Sequence, residues 1–210
     1  ASCEEYYRSW ASTWEHQALL RARFAAGDER LSRDFLSNIA NPLRYPAEPL
    51  TDAQVKDIRR LKARVEAERL PRGVRRERHL KLGKGGLSDV EWTVQLMQLQ
   101  QAHEHPELQC VSTLPALDCL ERMGTISQED AAILRQAWTM ATDARNANYL
   151  WSGRANRADV LPDDMYSLGG IAAVLKHPAH RGQVFENELL GIMRKCRDVT
   201  DRLFYGKTEE

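Results

Sequence analysis

The 210-residue chain balances 30 Lys and Arg against 30 Asp and Glu and is 42% hydrophobic, so it can bury a sizeable core without staples and offers no net field for nucleic acid or an anionic membrane. No run approaches the roughly 18 apolar residues of a membrane span. Cys3, Cys110, Cys119 and Cys196 form no C-x-x-C pair and follow no secretory segment, which fits reduced thiols in a cytoplasmic protein.

From Glu4 to Ala26 there is no Pro or Gly, and Tyr7, Trp10, Trp14, Ala18 and Arg21 recur at helical spacing. The pattern predicts one long amphipathic helix ending at Gly27, with Tyr6, Trp10, Leu20 and Phe24 widening its buried face. Asp28 to Ala40 predicts a shorter helix, after which Pro42, Pro46 and Pro49 force an extended connector. Thr51 and Gln54 make a capping box ahead of Val55, Ile58, Leu61 and Val65, a third helix running to about Leu70. Between Arg69 and Lys84 the basic residues Arg69, Arg72, Arg75, Arg76, Arg78, Lys81 and Lys84 are opposed only by Glu77. A solvated loop is the plainer reading of such a run.

That run leads into K-L-G-K-G-G-L-S-D-V-E-W, Lys81 to Trp92, where Ser88 and Glu91 have capping-box spacing and glycines meet the positive end of a helix. Such a junction can hold a phosphate. It can equally be a tight turn, because it matches neither the Walker loop nor the dinucleotide fingerprint. The helix that follows, about Asp89 to His103, carries Trp92, Leu96 and Leu99 on one side and Val90, Val94 and Met97 on another. Between them runs a polar stripe of Glu91, Gln95 and Gln98 that needs partners. Asp89 and Glu91 lie about 200° apart on a helix and so cannot share an ion; Asp89 is expected to pair with an Arg or Lys. Ser112 or Thr113, Ser127, and Asp163 or Asp164 open three more helices. A last one spans about Gly182 to Phe204. With about eight helices and no alternating strand, the fold class is all-α, a helical bundle forming a single domain over 1–210.

Residues 81–96, K-L-G-K-G-G-L-S-D-V-E-W-T-V-Q-L, closely resemble the K-x-G-x-G-G-x-x-D-x-E-[FW]-x-x-Q signature of the glutamine synthetase adenylyltransferases. Trp14 to Asp28, W-E-H-Q-A-L-L-R-A-R-F-A-A-G-D, resembles a second segment of that family, and S-T-L-P-A-L from Ser112 and R-N-A from Arg145 also fit. The resemblance implies the helical domain that follows a nucleotidyltransferase domain, in the C-terminal adenylylating half of an actinobacterial member. The catalytic domain itself is not in this sequence, which has no Gly-Ser and no Asp-x-Asp, does not begin with Met, and so reads as a piece of a longer polypeptide.

The implied activity is AMP transfer from ATP to a tyrosine of glutamine synthetase, regulating nitrogen assimilation. ATP and magnesium serve the full-length enzyme, and none is expected on this chain alone. No catalytic residue and no metal ligand is assigned to it. Arg21, Arg23, Lys81 and Lys84 are expected on the wall of the cleft, with Gly85 and Gly86 supplying N–H groups. Trp14, Glu15, Asp28, Gly83, Ser88, Asp89, Glu91 and Gln95 form the orienting and structural motif. Expected partners are glutamine synthetase, the nucleotidyltransferase domain of the same polypeptide and a PII-type signal protein, with no nucleic acid and no membrane. The alternatives are the deadenylylating half, or a mainly non-catalytic module that docks glutamine synthetase or a PII-type regulator.

Overall fold

The computed structural model describes residues 3–71 and 73–207. Among them the chain forms ten α-helices, interspersed with short 3-10 turns and one π-turn. Among the described residues there is no strand, and an isolated antiparallel bridge joins His79 and Val160. The all-α expectation is borne out. The single domain expected over 1–210 meets a chain whose backbone contacts cluster into two compact units, Ala1–Ala63 with Thr93–Ile126 and Arg64–Trp92 with Ser127–Glu210.

In the first unit the predicted long helix is instead two, α1 (Cys3–Ser9) and α2 (Thr13–Leu19). Ser12 breaks it: its backbone N–H donates to the Glu15 carboxylate at 3.0 Å, a capping contact that starts a new helix where periodicity alone read continuity. The predicted aromatic face is correspondingly not buried. Trp10 is 76% and Trp14 52% exposed, while Leu19 and Leu20 carry the packing at 7% and 1%.

Asp28 caps α3 (Glu29–Phe35) by accepting from the Leu31 N–H. A π-turn over Leu36–Ala40 carries the helix into α4 (Asn41–Arg44), so Pro42 does not end it as predicted. The reason is register. In the π-turn the Asn41 N–H reaches back to the Leu36 carbonyl, and the N–H that Pro42 lacks falls at the shift of the ladder. Arg44, 8% exposed, then donates to the Leu19 and Ala22 carbonyls at 3.1 and 2.7 Å and so satisfies the end of α2.

Thr51 and Gln54 cap α5 (Asp52–Glu68) as predicted. Helix α6 (Leu87–Gln101) is buried on both expected sides, with Val90, Val94, Leu96, Met97 and Leu99 each at 7% exposure or less. Its polar stripe finds partners. Gln95 accepts from Gln17 at 2.8 Å, and Gln98 donates to the Leu108 and Cys110 carbonyls at 2.8 and 2.9 Å. Ser112 precedes α7 (Thr113–Arg122).

The second unit is built on α8 (Gln128–Ser152), α9 (Met165–Val174) and α10 (Gly182–Leu203), which pack against one another. Ser127 caps α8 through the Asp130 N–H and Asp164 caps α9 through the Ser167 N–H. Gly153 ends α8 at φ 65°, a conformation that suits glycine. The basic run is only in part a solvated loop. Arg72 lies outside the described residues, and Arg75 pairs with Asp163 at 2.6 Å. Arg78 is 5% exposed, bonded to the buried Glu186 carboxylate and to the carbonyls of Leu161 and Pro162.

Removing Arg78 takes the counter-charge from the buried Glu186 carboxylate and leaves it the neutral Gln183 amide at 2.6 Å. We expect Arg78→Ala to cost about 3–5 kcal/mol, measured by urea denaturation, against less than about 1 kcal/mol for the exposed Arg76→Ala.

Candidate functional site

The Lys81–Trp92 stretch lies wholly in the second unit, and its shape is set by backbone meeting backbone. A Cβ at Gly83 would fall 2.3 Å from the Arg76 carbonyl oxygen, and one at Gly86 2.5 Å from that of Leu80. At Gly85, with φ +72°, a Cβ would fall 1.7 Å from the Met193 carbonyl oxygen. Only hydrogen fits at these three positions. His79 organises the inside of the loop: its carbonyl accepts from the Gly83 N–H at 2.8 Å and its Nδ1 from the Leu82 N–H at 3.1 Å. Burial lowers the His79 pKa and so favours the neutral imidazole that can accept.

The helix start differs from the prediction. Because α6 begins at Leu87, Ser88 is inside it rather than capping it, and the Ser88 N–H that the Glu91 cap is expected to receive donates to the Lys81 carbonyl at 3.0 Å. Asp89 takes that part. Its Oδ2 accepts from the Gly85 N–H at 2.6 Å, an acid in the first turn reaching back across the glycines.

The same Oδ2 receives Arg197 Nη1 at 3.3 Å, and the Arg197 guanidinium also meets Glu66 at 3.1 Å and Asp201 at 2.9 Å. Burial works against the charge on Arg197, but the Asp89, Glu66 and Asp201 carboxylates outweigh it and raise its pKa. The Tyr205 hydroxyl donates to Glu66 at 3.2 Å, and burial with the Glu66 charge raises its pKa as well. The partner expected for Asp89 is therefore Arg197.

The N–H groups expected from Gly85 and Gly86 are already engaged, Gly85 with Asp89 and Gly86 with the Gly83 carbonyl at 3.0 Å. What the loop offers outward is cationic. Lys81 and Lys84 are exposed, and among the described residues neither has an ion-pair partner. Asp89 is committed to Gly85 and Arg197 and so does not fit a metal, and among the described residues no cluster of three or more potential ligands stands elsewhere.

Arg21 and Arg23 belong to the first unit. Arg21 bonds the Val111 carbonyl and the Thr113 hydroxyl, tying α2 to the start of α7 rather than standing open. Arg23 is exposed and donates to the Phe24 carbonyl at 3.2 Å. Trp14 is half exposed on α2, and Glu15 accepts from Ser12 and from the Tyr6 hydroxyl at 2.9 Å. Sequence reasoning missed Arg197, Glu66, Arg78 and Glu186. Only a charged residue on an apolar helix face, as Glu186 is on α10, could have signalled them.

A family model described as GlnD PII-uridylyltransferase matches residues 58–204, more than half of the chain. The chain belongs to that family. A second model, glutamate-ammonia ligase adenylyltransferase, matches residues 1–38. The two long motifs fall one in each match, Lys81–Leu96 in the first and Trp14–Asp28 in the second. The chain is 72% identical over its full length to a bifunctional glutamine synthetase adenylyltransferase/adenylyl-removing enzyme of Bifidobacterium longum (strain DJO10A). Proteins of the same name from Streptomyces avermitilis and Corynebacterium diphtheriae are 51% and 44% identical over 98% of it. The resemblance read from the motifs is borne out. The chain spans only 19–20% of the length of these relatives. Among the described residues no helix is long and apolar enough to cross a membrane.

Two outcomes test the loop. We expect Gly85→Ala to destabilise by about 3 kcal/mol or more, strain at positive φ adding to the overlap with Met193. Gly124→Ala, at φ 76° with open space around it, should cost about 1 kcal/mol, both read as shifts in the urea midpoint. For His79 the folded pKa lies below the unfolded value, so the unfolded chain binds the proton first and stability falls as pH drops through about 6.5. His79→Gln should flatten the loss of stability between pH 7 and pH 5. An unchanged slope would assign it to His16, whose pKa burial also lowers.

Proposed function

We propose that this chain is the helical module of an enzyme that transfers AMP from ATP to a tyrosine of glutamine synthetase, in its adenylylating half, in the cytoplasm. The observation that carries the reading is the 72% identity, over the whole of this chain, to part of a relative named for that activity, with both long motifs inside the matched segments. The nucleotidyltransferase domain of the same polypeptide would hold ATP and magnesium, which together supply the activated α-phosphorus.

The part of this chain is positional. The tie from Arg197 through Asp89 to Gly85 fixes the loop from inside, so that Lys81 and Lys84 project from a rigid base. Placed on one wall of a nucleotide cleft, those ammonium groups stabilise charge that develops on the phosphates. In the first unit, by itself, Arg23 is an exposed cation, whereas Arg21 acts through the packing of the segment after α2.

The relatives' name also includes adenylyl removal, which favours a second reading in which the module serves the deadenylylating half. Assaying AMP removal from modified glutamine synthetase by the whole polypeptide separates the two. A PII-type signal protein is the further partner in this reading, the matching family being described as a PII-uridylyltransferase.

In the whole polypeptide, Lys81→Ala should lower AMP transfer about tenfold or more with an unchanged thermal midpoint, because the side chain is exposed. Full turnover in that variant would leave Lys81 a surface residue with no part in the reaction.

A further inference from the structure

His79 is joined to the glycine loop by contacts that a proton can undo. The segment that carries it is itself fixed. The Leu80 N–H donates to the Asp159 carbonyl at 2.8 Å and the Leu161 N–H to that of Arg78 at 2.9 Å, beside the bridge between His79 and Val160. With its backbone held there and only 4% of its surface exposed, His79 has a set place under the loop. Its Nδ1 accepts from the backbone N–H of Lys81 at 3.3 Å and of Leu82 at 3.1 Å. Asn and Asp side chains hold turns in the same way, accepting from N–H groups a few residues on. Here a titratable ring takes their place.

Lys81 is thereby held by both of its backbone groups. Its carbonyl accepts from the Ser88 N–H at 3.0 Å, in the first turn of α6, and its N–H donates to His79. Of the two contacts, only the second depends on a proton. An Nδ1 that accepts leaves the ring proton on Nε2, and a second proton turns Nδ1 into a donor facing two donors. The charges around the ring pull both ways. Asp159, which also pairs with Arg145 of α8, favours the imidazolium, and the Lys81 ammonium opposes it. Arg78, the next residue along, is paired with Glu186 of α10. Burial outweighs Asp159 and lowers the pKa.

We infer that His79 is a positioning residue for Lys81: its unprotonated Nδ1 sets the backbone of the lysine, and AMP transfer falls when a proton occupies that nitrogen. The part of Lys81 in the transfer rests on the proposed function, whereas the hold on its backbone rests on the contacts themselves.

The test is AMP transfer by the whole polypeptide carrying His79→Asn or His79→Gln, each alone and combined with Lys81→Ala, assayed well below the thermal midpoint of every variant. Hydrogen exchange of the peptide covering Lys81 and Leu82 is followed beside it. The Asn Oδ1 stands where Nδ1 does, whereas the Gln oxygen lies one bond further out. We expect His79→Gln to lower turnover about fivefold or more and His79→Asn to stay within about twofold of the unaltered protein. In the Lys81→Ala background, His79→Gln should cost less than about a further twofold, because it acts through that side chain. The ratio of His79→Asn turnover to unaltered turnover should rise from pH 7 to pH 5, since the amide takes up no proton there. Exchange at Lys81 and Leu82 should be faster with His79→Gln and unchanged with His79→Asn. Equal turnover of the three proteins, equal losses from the two substitutions, losses that add to that of Lys81→Ala, or a turnover ratio indifferent to pH each overturns the inference. If the unaltered protein transfers no AMP, the proposed function falls, and the exchange rates alone decide whether His79 holds the loop.

Discussion

One largely buried guanidinium ties three helices of the second unit to one another. Arg197 comes from α10, Asp89 from the start of α6 and Glu66 from the end of α5, and the single cation meets all three carboxylates once Asp201 is included. Three acids sharing one arginine would repel one another if it were absent, so the helices that carry them are bound to its position. Asp89 extends the constraint to the glycine loop through the Gly85 N–H. The conformation of a surface loop is thereby set by an ion network in the interior.

Arg78 repeats the device further along. It comes from the segment before the loop and meets Glu186 of α10 together with two carbonyls that precede α9. Both arginines join the loop-bearing segment to α10, and both are buried or nearly so. Buried arginine suits this use because its planar fork reaches several acceptors at once. The lysines of the same stretch are left outside.

How far this was legible in the sequence depends on the range of the interaction. The caps at Asp28, Thr51, Ser127 and Asp164 and the stop at Gly153 depend on residues within a turn of each other, and all were readable. The break at Ser12 was local too, but the periodicity of the aromatic residues masked it. The partners of Arg197 and Arg78 lie far away along the chain, and no local pattern distinguishes them from other charges. The glycine string is ambiguous for a physical reason: backbone that must approach a phosphate and backbone that must approach another backbone both exclude a Cβ. The Met193 carbonyl, which decides the case at Gly85, is not visible from the loop's own residues.

The π-turn at Leu36–Ala40 marks a different kind of economy. A ladder that skips one residue absorbs a one-residue insertion while the helix keeps its axis, and every side chain beyond it is rotated by about 100° relative to a regular helix. Arg44 lies just beyond that rotation, where it meets the carbonyls of Leu19 and Ala22. Excising one residue between 36 and 40 would restore an ordinary helix and turn the guanidinium away from the end of α2. The length of the chain at this point, more than the identity of any residue in it, determines whether the end of the neighbouring helix is satisfied.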